Sequence, residues 1–408
     1  MQDRVPPATQ SSGALRLSDV LERDVLPLRE SVAEFSEPDC RLGRLEHFEG
    51  RYWPASKWHP HVVPPVPGGV TPDWWSAEPT IECLPFCLYR VPDAFYVPSF
   101  GAVVSSSGQV FYESVAQARY KTPDLSLLPG AFKEGDLVYL GSTDELPSLD
   151  RGLVTMPWGS LYNYGHFVLD CLTGLAATMD LGELDGYPPV FPPLKAWQRR
   201  HLELLGLERF VELGQPIYRL RDLVFPSSMQ SFLHHPNVNY RILRARQLAS
   251  VPRSHLSIPK LYLARRTGKR WGEHRGRNFL SDQKLAKALE EKGFETIYPE
   301  EHPVDDQINL FNGARIIVGC AGAAFANIIY CQPDAKIVEI IPTRMVETHR
   351  VSGIWVSNIC AILGLRWRPY FTERCWLDEN ADETKPELNF SFDLDIDDFM
   401  SYLGRVTS

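Results

Sequence analysis

The sequence predicts an α/β fold whose second half carries a parallel sheet covered on both faces. Between residues 260 and 364, short β-branched segments alternate with helical ones at close spacing. Those strand segments lack polar alternation, so neither face of the sheet meets water. Glycines and arginines also gather where these strands end, and ligands of such sheets sit at the carboxyl ends of the strands.

The elements follow in order. A strand is predicted over 261–264. Ser281 can cap a helix that runs through Leu285, Ala288 and Leu289 and stops at Gly293. Next come a strand over 296–298 and a short helix over 305–312 with Ile308 and Phe311 inward. A strand over 316–318, a helix over 323–330, a strand over 337–341 and a helix over 356–363, stopped by Gly364, complete the run.

The first half is less regular. Residues 1–25 are a polar lead-in, and 50–80 hold Trp53, Trp58, Trp74 and Trp75 among many prolines. Proline at that density excludes a long helix. The tryptophans are expected to cover a core surface or, alternatively, to serve as a sugar platform. Short strands are predicted over 94–97, 102–104 and 110–112, with Ser107-Gly108 as a turn. The stretch 163–181 reads as a helix, with Phe167, Leu169, Leu172, Leu175 and Ala176 on one stripe. A strand over 190–191, a helix over 197–205 ending at Gly206, a strand over 222–225, an exposed loop over 227–236 and a helix over 237–249 follow. Pro252 and Pro259 mark a linker. The resulting division is an extension over 1–80, an α/β lobe over 81–255, a Rossmann-like lobe over 256–370 and an acidic segment over 371–408.

With 408 residues, 44% of them hydrophobic, the chain can bury more than one core. A formal net charge of -9 argues against nucleic acid as a partner. The polar N-terminus has no apolar segment of the kind that directs secretion. The apolar stretch 316–331 is too short for a bilayer. Eight cysteines lie without the spacing of a disulfide framework, and Cys83 and Cys87 lack the second pair of a zinc site. Reduced thiols in a cytoplasm are the simplest reading.

Four groups of residues could carry chemistry. Gly319-Cys320-Ala321-Gly322-Ala323 follows a strand and opens a helix, where small residues and free N–H groups suit a phosphate. The same turn could serve packing alone. Arg265 and Arg266 stand at the end of the first strand, and a guanidinium can grip a diphosphate with two hydrogen bonds. The alternative is a solvated basic loop. Glu339 lies inside an apolar strand and could accept from ribose or sugar hydroxyls, or pair with a structural arginine. His166 and Asp170 are four apart on one helix face, so the carboxylate could orient the imidazole for proton transfer, or both could simply support the helix.

These segments together resemble the family 61 glycosyltransferases, which include bacterial capsular-polysaccharide-biosynthesis enzymes, from about Val91 to Tyr370. The resemblance rests on Asn163-x-x-His166-Phe167-x-x-Asp170, on Arg265-Arg266 followed by Asn278, and on Pro299-Glu300 with Asp306-Gln307-Ile308. It rests further on Gly319-x-x-Gly322-Ala323-x-x-x-Asn327 and on Val338-Glu339-Ile340-x-Pro342. One position departs from the family pattern: Ala321 stands where a histidine is usual. The resemblance implies a GT-B-like architecture, two Rossmann-like lobes facing a cleft. It implies an inverting hexosyl- or pentosyltransferase that moves sugar from a nucleotide-sugar donor, UDP-linked, to a glycan, polysaccharide or lipid-linked saccharide. His166 would be the base and Asp170 its support. Arg265, Arg266, Asn278, Gly319, Gly322, Ala323, Asn327 and Glu339 would hold the donor. No metal or other cofactor is expected. The implied place is the cytoplasm, at the inner face of the membrane. A non-catalytic saccharide-binding protein on a degenerate scaffold is the alternative that Ala321 suggests. A nucleotide-dependent oxidoreductase lacks its G-x-G-x-x-G after a first strand.

Overall fold

The computed structural model describes residues 14–17, 41–44, 68–69, 87–106, 111–115, 131–134, 137–142, 145–180, 186–226, 239–254, 257–265, 277–348, 355–377 and 390–407. The chain divides into two compact units, one made of Met1–Glu46, Pro85–Arg199 and Leu207–Ser231, the other of His47–Leu84, Arg200–Gly206 and Phe232–Ser408.

In chain order the strands are β1 (Ala14–Leu17), β2 (Arg41–Arg44), β3 (Gly68–Gly69), β4 (Cys87–Val97), β5 (Ala102–Val104), β6 (Ala131–Glu134) and β7 (Leu137–Ser142). Then come β8 (Ser148–Val154), β9 (Pro189–Phe191), β10 (Val211–Glu212) and β11 (Tyr218–Pro226). All but β3 belong to the first unit. Its main sheet has the order β10-β9-β8-β11-β4-β2, with β5 paired to β4. The pairs β9–β10, β8–β9 and β8–β11 are parallel, whereas β4 runs antiparallel to β11, β5 and β2. A smaller antiparallel sheet joins β1, β7 and β6. The polar lead-in of the sequence therefore contains a strand. Asp222 of β11 accepts from Nε and Nη2 of Arg90 on β4 at 2.7 and 2.8 Å and from the Tyr187 hydroxyl at 2.6 Å, which compensates the buried carboxylate.

The first unit's helices are α1 (Tyr112–Val115), a long helix α2 over 164–180, and α3 (Ala196–Leu204), which runs on into the second unit. Of the strand expected over 110–112, Val110 lies outside the described residues, Phe111 precedes α1 and Tyr112 begins it. The Ser114 hydroxyl donates to the Phe111 carbonyl at 2.6 Å and accepts the Val103 N–H at 3.0 Å, which folds the chain back on β5. Helix α2 is buried nearly all round: Phe167 to Leu172 lie at 1% exposure or less. That is why its sequence shows an apolar run broader than one stripe.

The second unit adds α4 (Tyr240–Ser250), β12 (Lys260–Leu263), β13 (Asn278–Phe279), α5 (Asp282–Glu290), β14 (Glu295–Ile297), α6 (Val304–Gly313) and β15 (Ile316–Cys320). A 3-10 helix (Ala323–Tyr330), β16 (Lys336–Pro342), α7 (Thr343–Thr348), α8 (Trp355–Leu363), β17 (Arg366–Thr372), β18 (Cys375–Leu377), β19 (Phe390–Phe392) and α9 (Ile396–Thr407) complete it. Its six-stranded sheet, β14-β12-β15-β16-β17-β3, is parallel throughout. Val338 and Ile340 pack with Leu285 and Leu289 of α5 and with Phe399 and Leu403 of α9. Residues 337, 339 and 341 alternate to the opposite face. Arg241 of α4 donates to the Ile362 carbonyl at 3.0 and 2.6 Å, and Arg244 to the Cys331 carbonyl at 3.1 Å. Both arginines thus neutralise the carbonyl ends of helices on this unit.

Three expectations change in detail. The acidic segment 371–408 contains two strands and a helix whose apolar face enters the core. The helix expected over 323–330 is present and has 3-10 geometry. Ser281 occupies the start of α5 but does not cap it; its hydroxyl donates to Asp393 instead. The loop 227–236, Ser107-Gly108 and the tryptophan-rich segment, apart from Gly68 and Gly69, lie outside the described residues. Among the described residues no helix is long and apolar enough to cross a membrane, and Cys171, Cys320, Cys331, Cys360 and Cys375 are free thiols.

Candidate functional site

In the second unit the chemistry gathers at the carboxyl ends of β12, β15 and β16. Arg265 lies two residues beyond β12. Its backbone N–H donates to Asp282 at 3.2 Å, and its guanidinium donates to the Ala321 carbonyl at 2.9 Å. Asp282 also accepts the Tyr262 hydroxyl at 2.6 Å, so a carboxylate in the first turn of α5 anchors the strand end that carries the arginine. Burial raises the pKa of Asp282, and the Tyr262 and Arg265 hydrogen bonds oppose the rise.

The guanidinium lies across the glycine turn. A Cβ on Gly322 would stand 3.2 Å from Arg265 Nη1, so the missing side chain makes room for the arginine. Gly322, Ala323 and Ala324 are partly exposed. The first bond of the 3-10 helix runs from Phe325 N to Gly322 O at 3.0 Å, so the N–H groups of 322–324 precede the helical ladder. Cation and helix start therefore meet at one place, as an anion site requires.

A second arginine joins them, one that the sequence reading did not single out. Arg277, just before β13, donates to Met345 of α7 beyond β16. Burial and the nearby Arg265 charge lower its pKa to about 9, with Cys320 and Glu339 partly offsetting this. A guanidinium buried beside the Arg265 charge at the expense of its own ionisation suits a ligand that brings negative charge. Its sequence signal was its place at the end of the arginine-rich stretch 265–277, directly before a short strand.

In the first unit, β8 ends at Val154 and the chain passes through a 3-10 turn (Trp158–Leu161) into α2. The Asn163 side chain caps that helix, accepting the Gly165 N–H at 2.8 Å and the His166 N–H at 3.4 Å. His166 Nδ1 lies 2.9 Å from Asp170 Oδ2, with side-chain exposures of 20% and 1%. Bonding to the carboxylate favours the tautomer protonated at Nδ1, in which Nε2 is the basic nitrogen. Phe167–Leu172 form a π-helical turn, and the Thr173 hydroxyl donates to the Val168 carbonyl five residues back at 3.2 Å. Such wide turns recur at functional sites.

Residues 164–338 match the glycosyltransferase 61 family model. The match supports a glycosyltransferase of that family. No curated protein matches the chain. The matched segment opens on the helix of His166 and Asp170, contains Arg265, Arg277 and the glycine turn, and closes inside β16.

Gly319, Asn327 and Glu339, three further residues with an expected donor role, are buried. A Cβ on Gly319 would stand 2.9 Å from Leu263 Cβ and 3.2 Å from Phe325 Cζ, so this glycine serves packing between β12, β15 and the 3-10 helix. Asn327, fully buried, donates to Gln307 at 2.9 Å, and Gln307 donates to the His302 carbonyl at 2.9 Å. Two positions quoted from separate motifs of the glycosyltransferase 61 pattern thus meet and tie α6 to the 3-10 helix. Glu339 is fully buried and accepts Trp367 Nε1 at 2.8 Å. Burial raises its pKa to about 8, against the Trp367 bond and the Arg277 charge. Asn278 bonds weakly to Ser391 across the small β13–β19 pair, at 3.4 Å. Arg266 lies outside the described residues.

A surface depression of about 550 Å³, lined by Glu290, Phe294 and Glu295 among others, lies at the amino ends of β12 and β14. It is at the opposite end of the strands from Arg265, and its acidic lining would repel a diphosphate. Among the described residues no three or more His, Cys, Asp or Glu side chains group as metal ligands would.

Proposed function

We propose that the protein is an inverting, metal-independent glycosyltransferase that moves a sugar from a UDP-linked donor to a glycan or polysaccharide acceptor, with GT-B as the architecture the family resemblance implies. The observation that carries this reading is Arg265 lying across the partly exposed turn 321–324, with Arg277 close by. A diphosphate there gains charge-assisted hydrogen bonds and the helix-start N–H groups, and the same groups stabilise it as a leaving group. The two cations supply the positive charge that a divalent metal supplies elsewhere. His166, held by Asp170, would take the proton from the acceptor hydroxyl as that oxygen attacks the anomeric carbon and the nucleoside diphosphate departs. Capsule-type polysaccharide synthesis in the cytoplasm, at the inner face of a membrane, is the setting that the resemblance supports.

Calorimetric titration of UDP in EDTA tests both the site and its metal independence. Wild type should bind, and Arg265→Ala should lose about 1.5–3 kcal/mol, the worth of a charged hydrogen bond. Equal affinity of the two proteins, or binding only after manganese is added, would overturn the assignment. Ala321 favours a second reading, a saccharide-binding protein without turnover. Release of UDP from a panel of UDP-sugars separates the two.

A further inference from the structure

We propose that Tyr162 and Trp158 form a stacking platform for an acceptor saccharide beside His166. Among the described residues three large apolar side chains stand well exposed: Tyr162 at 62%, Leu280 and Trp376. Isolated exposed rings are ordinary on protein surfaces, so position decides. Leu280 and Trp376 belong to the small sheet of the second unit. Tyr162 is one residue from the cap Asn163 and four from His166, on the turn that leads out of β8.

The ring is also not alone. Tyr162 meets Trp158 with centroids 6.2 Å apart and planes inclined at 66°. Trp158 in turn meets Phe100 at 6.5 Å. The turn bearing Phe100 approaches closely because Gly101, at φ 74°, has no Cβ: one placed there would stand 2.9 Å from the Met156 carbonyl oxygen and 3.1 Å from Trp158 N. A left-handed glycine thus lets the turn after β4 brace the segment 156–158, and the aromatic pair stands on a fixed base.

The chemistry of the occupant follows. One face of a pyranose presents C–H groups with slight positive charge, and an aromatic face carries the complementary negative charge. Two inclined rings make a corner that takes a sugar by its apolar face and leaves its hydroxyls toward solvent and toward the helix start. The expected sugar platform of the sequence reading lay among the tryptophans of 50–80; the platform proposed here stands on different residues. Its assignment to an acceptor rests on the glycosyltransferase reading, since His166 beside it is the group proposed to activate the acceptor hydroxyl.

The test uses the full chain and saturation-transfer NMR with short oligosaccharides of β-linked glucose, β-linked xylose, mannose and N-acetylglucosamine. At least one should bind wild type. Tyr162→Ala should weaken that binding about tenfold or more, the scale on which ring-shaped ligands lose affinity with a stacking partner. Tyr162→Phe, which keeps the ring, should bind within about threefold of wild type, and Trp158→Phe should lie between them. Equal binding by Tyr162→Ala, or no binding of any of these saccharides to wild type, would overturn the proposal. UDP titration of the same wild-type sample reports on the donor site separately. Saccharide binding that depends on Tyr162, in a protein that does not bind UDP, would uphold the platform and remove the donor assignment.

Discussion

Asp170 and Glu339 are both buried carboxylates, at 1% and 0% exposure, and they have opposite surroundings. Asp170 faces a histidine that reaches the surface. Glu339 faces a buried indole and keeps one oxygen without a hydrogen bond partner. A partner that can take up a proton lets a buried carboxylate act on the outside; a partner that can only donate one hydrogen bond leaves it sealed, with protonation the cheaper state. Burial alone therefore says little about function, and the partner's own access to solvent says more.

The sharpest way to break this contrast is His166→Ala. If Asp170 works through His166, turnover per folded molecule should fall by about 10²–10⁴-fold, the usual cost of losing a general base, while UDP affinity stays near that of wild type. Turnover that falls only in proportion to folded protein would make the pair structural, like Glu339.

The second test addresses Glu339 through pH. Its folded pKa is raised from 4.5 to about 8, so the folded protein keeps a proton that the unfolded chain releases. Stability should therefore fall as pH rises from about 4.5 through about 8 and level off above that. Glu339→Gln, which stays neutral, should remove this part of the slope. The variant should gain on the order of a few kcal/mol over wild type at alkaline pH and little at acid pH. Urea denaturation of both proteins at the two ends of the range measures it. Parallel pH profiles would show that Glu339 is not the sealed group described.

The smallest effect concerns how His166 is held. Asn163→Ala removes the cap from the Gly165 and His166 N–H groups and should cost about 1 kcal/mol, read as a lowered melting temperature, with Asn163→Asp close to wild type. A cap loss that leaves stability unchanged would mean that the buried length of α2 alone fixes the helix start.

Much of this was legible in the sequence, for identifiable reasons. The parallel strands between 260 and 341 could be read because strands buried on both faces are written as mostly apolar runs, as in Ile316 to Val318. The His166–Asp170 pairing could be read because a spacing of four brings side chains together on a helix. Other features depend on residues distant in the chain. Nothing near Glu339 announces that Trp367, 28 residues on, will take its carboxylate. Arg277 looks like any other arginine of the stretch 265–277 until the fold brings Arg265 near it. Phe111 and Tyr112 have the composition of a strand, yet the Ser114 hydroxyl takes the Phe111 carbonyl as the chain enters α1. Asn163 was readable as a motif position, but its work as a cap appears only in the geometry.

The π turn over Phe167–Leu172 has one more consequence. Each of its backbone bonds encloses one residue more than an α-helical bond does, so α2 carries a surplus in its length. Each residue of an α-helix turns the chain by about 100°. Removing the surplus would swing the start of the helix by that angle relative to its buried end, and His166 would face another direction with every side chain intact. The bearing of the imidazole is thus stored as a residue count, a quantity to which substitutions are blind and single-residue deletions are not.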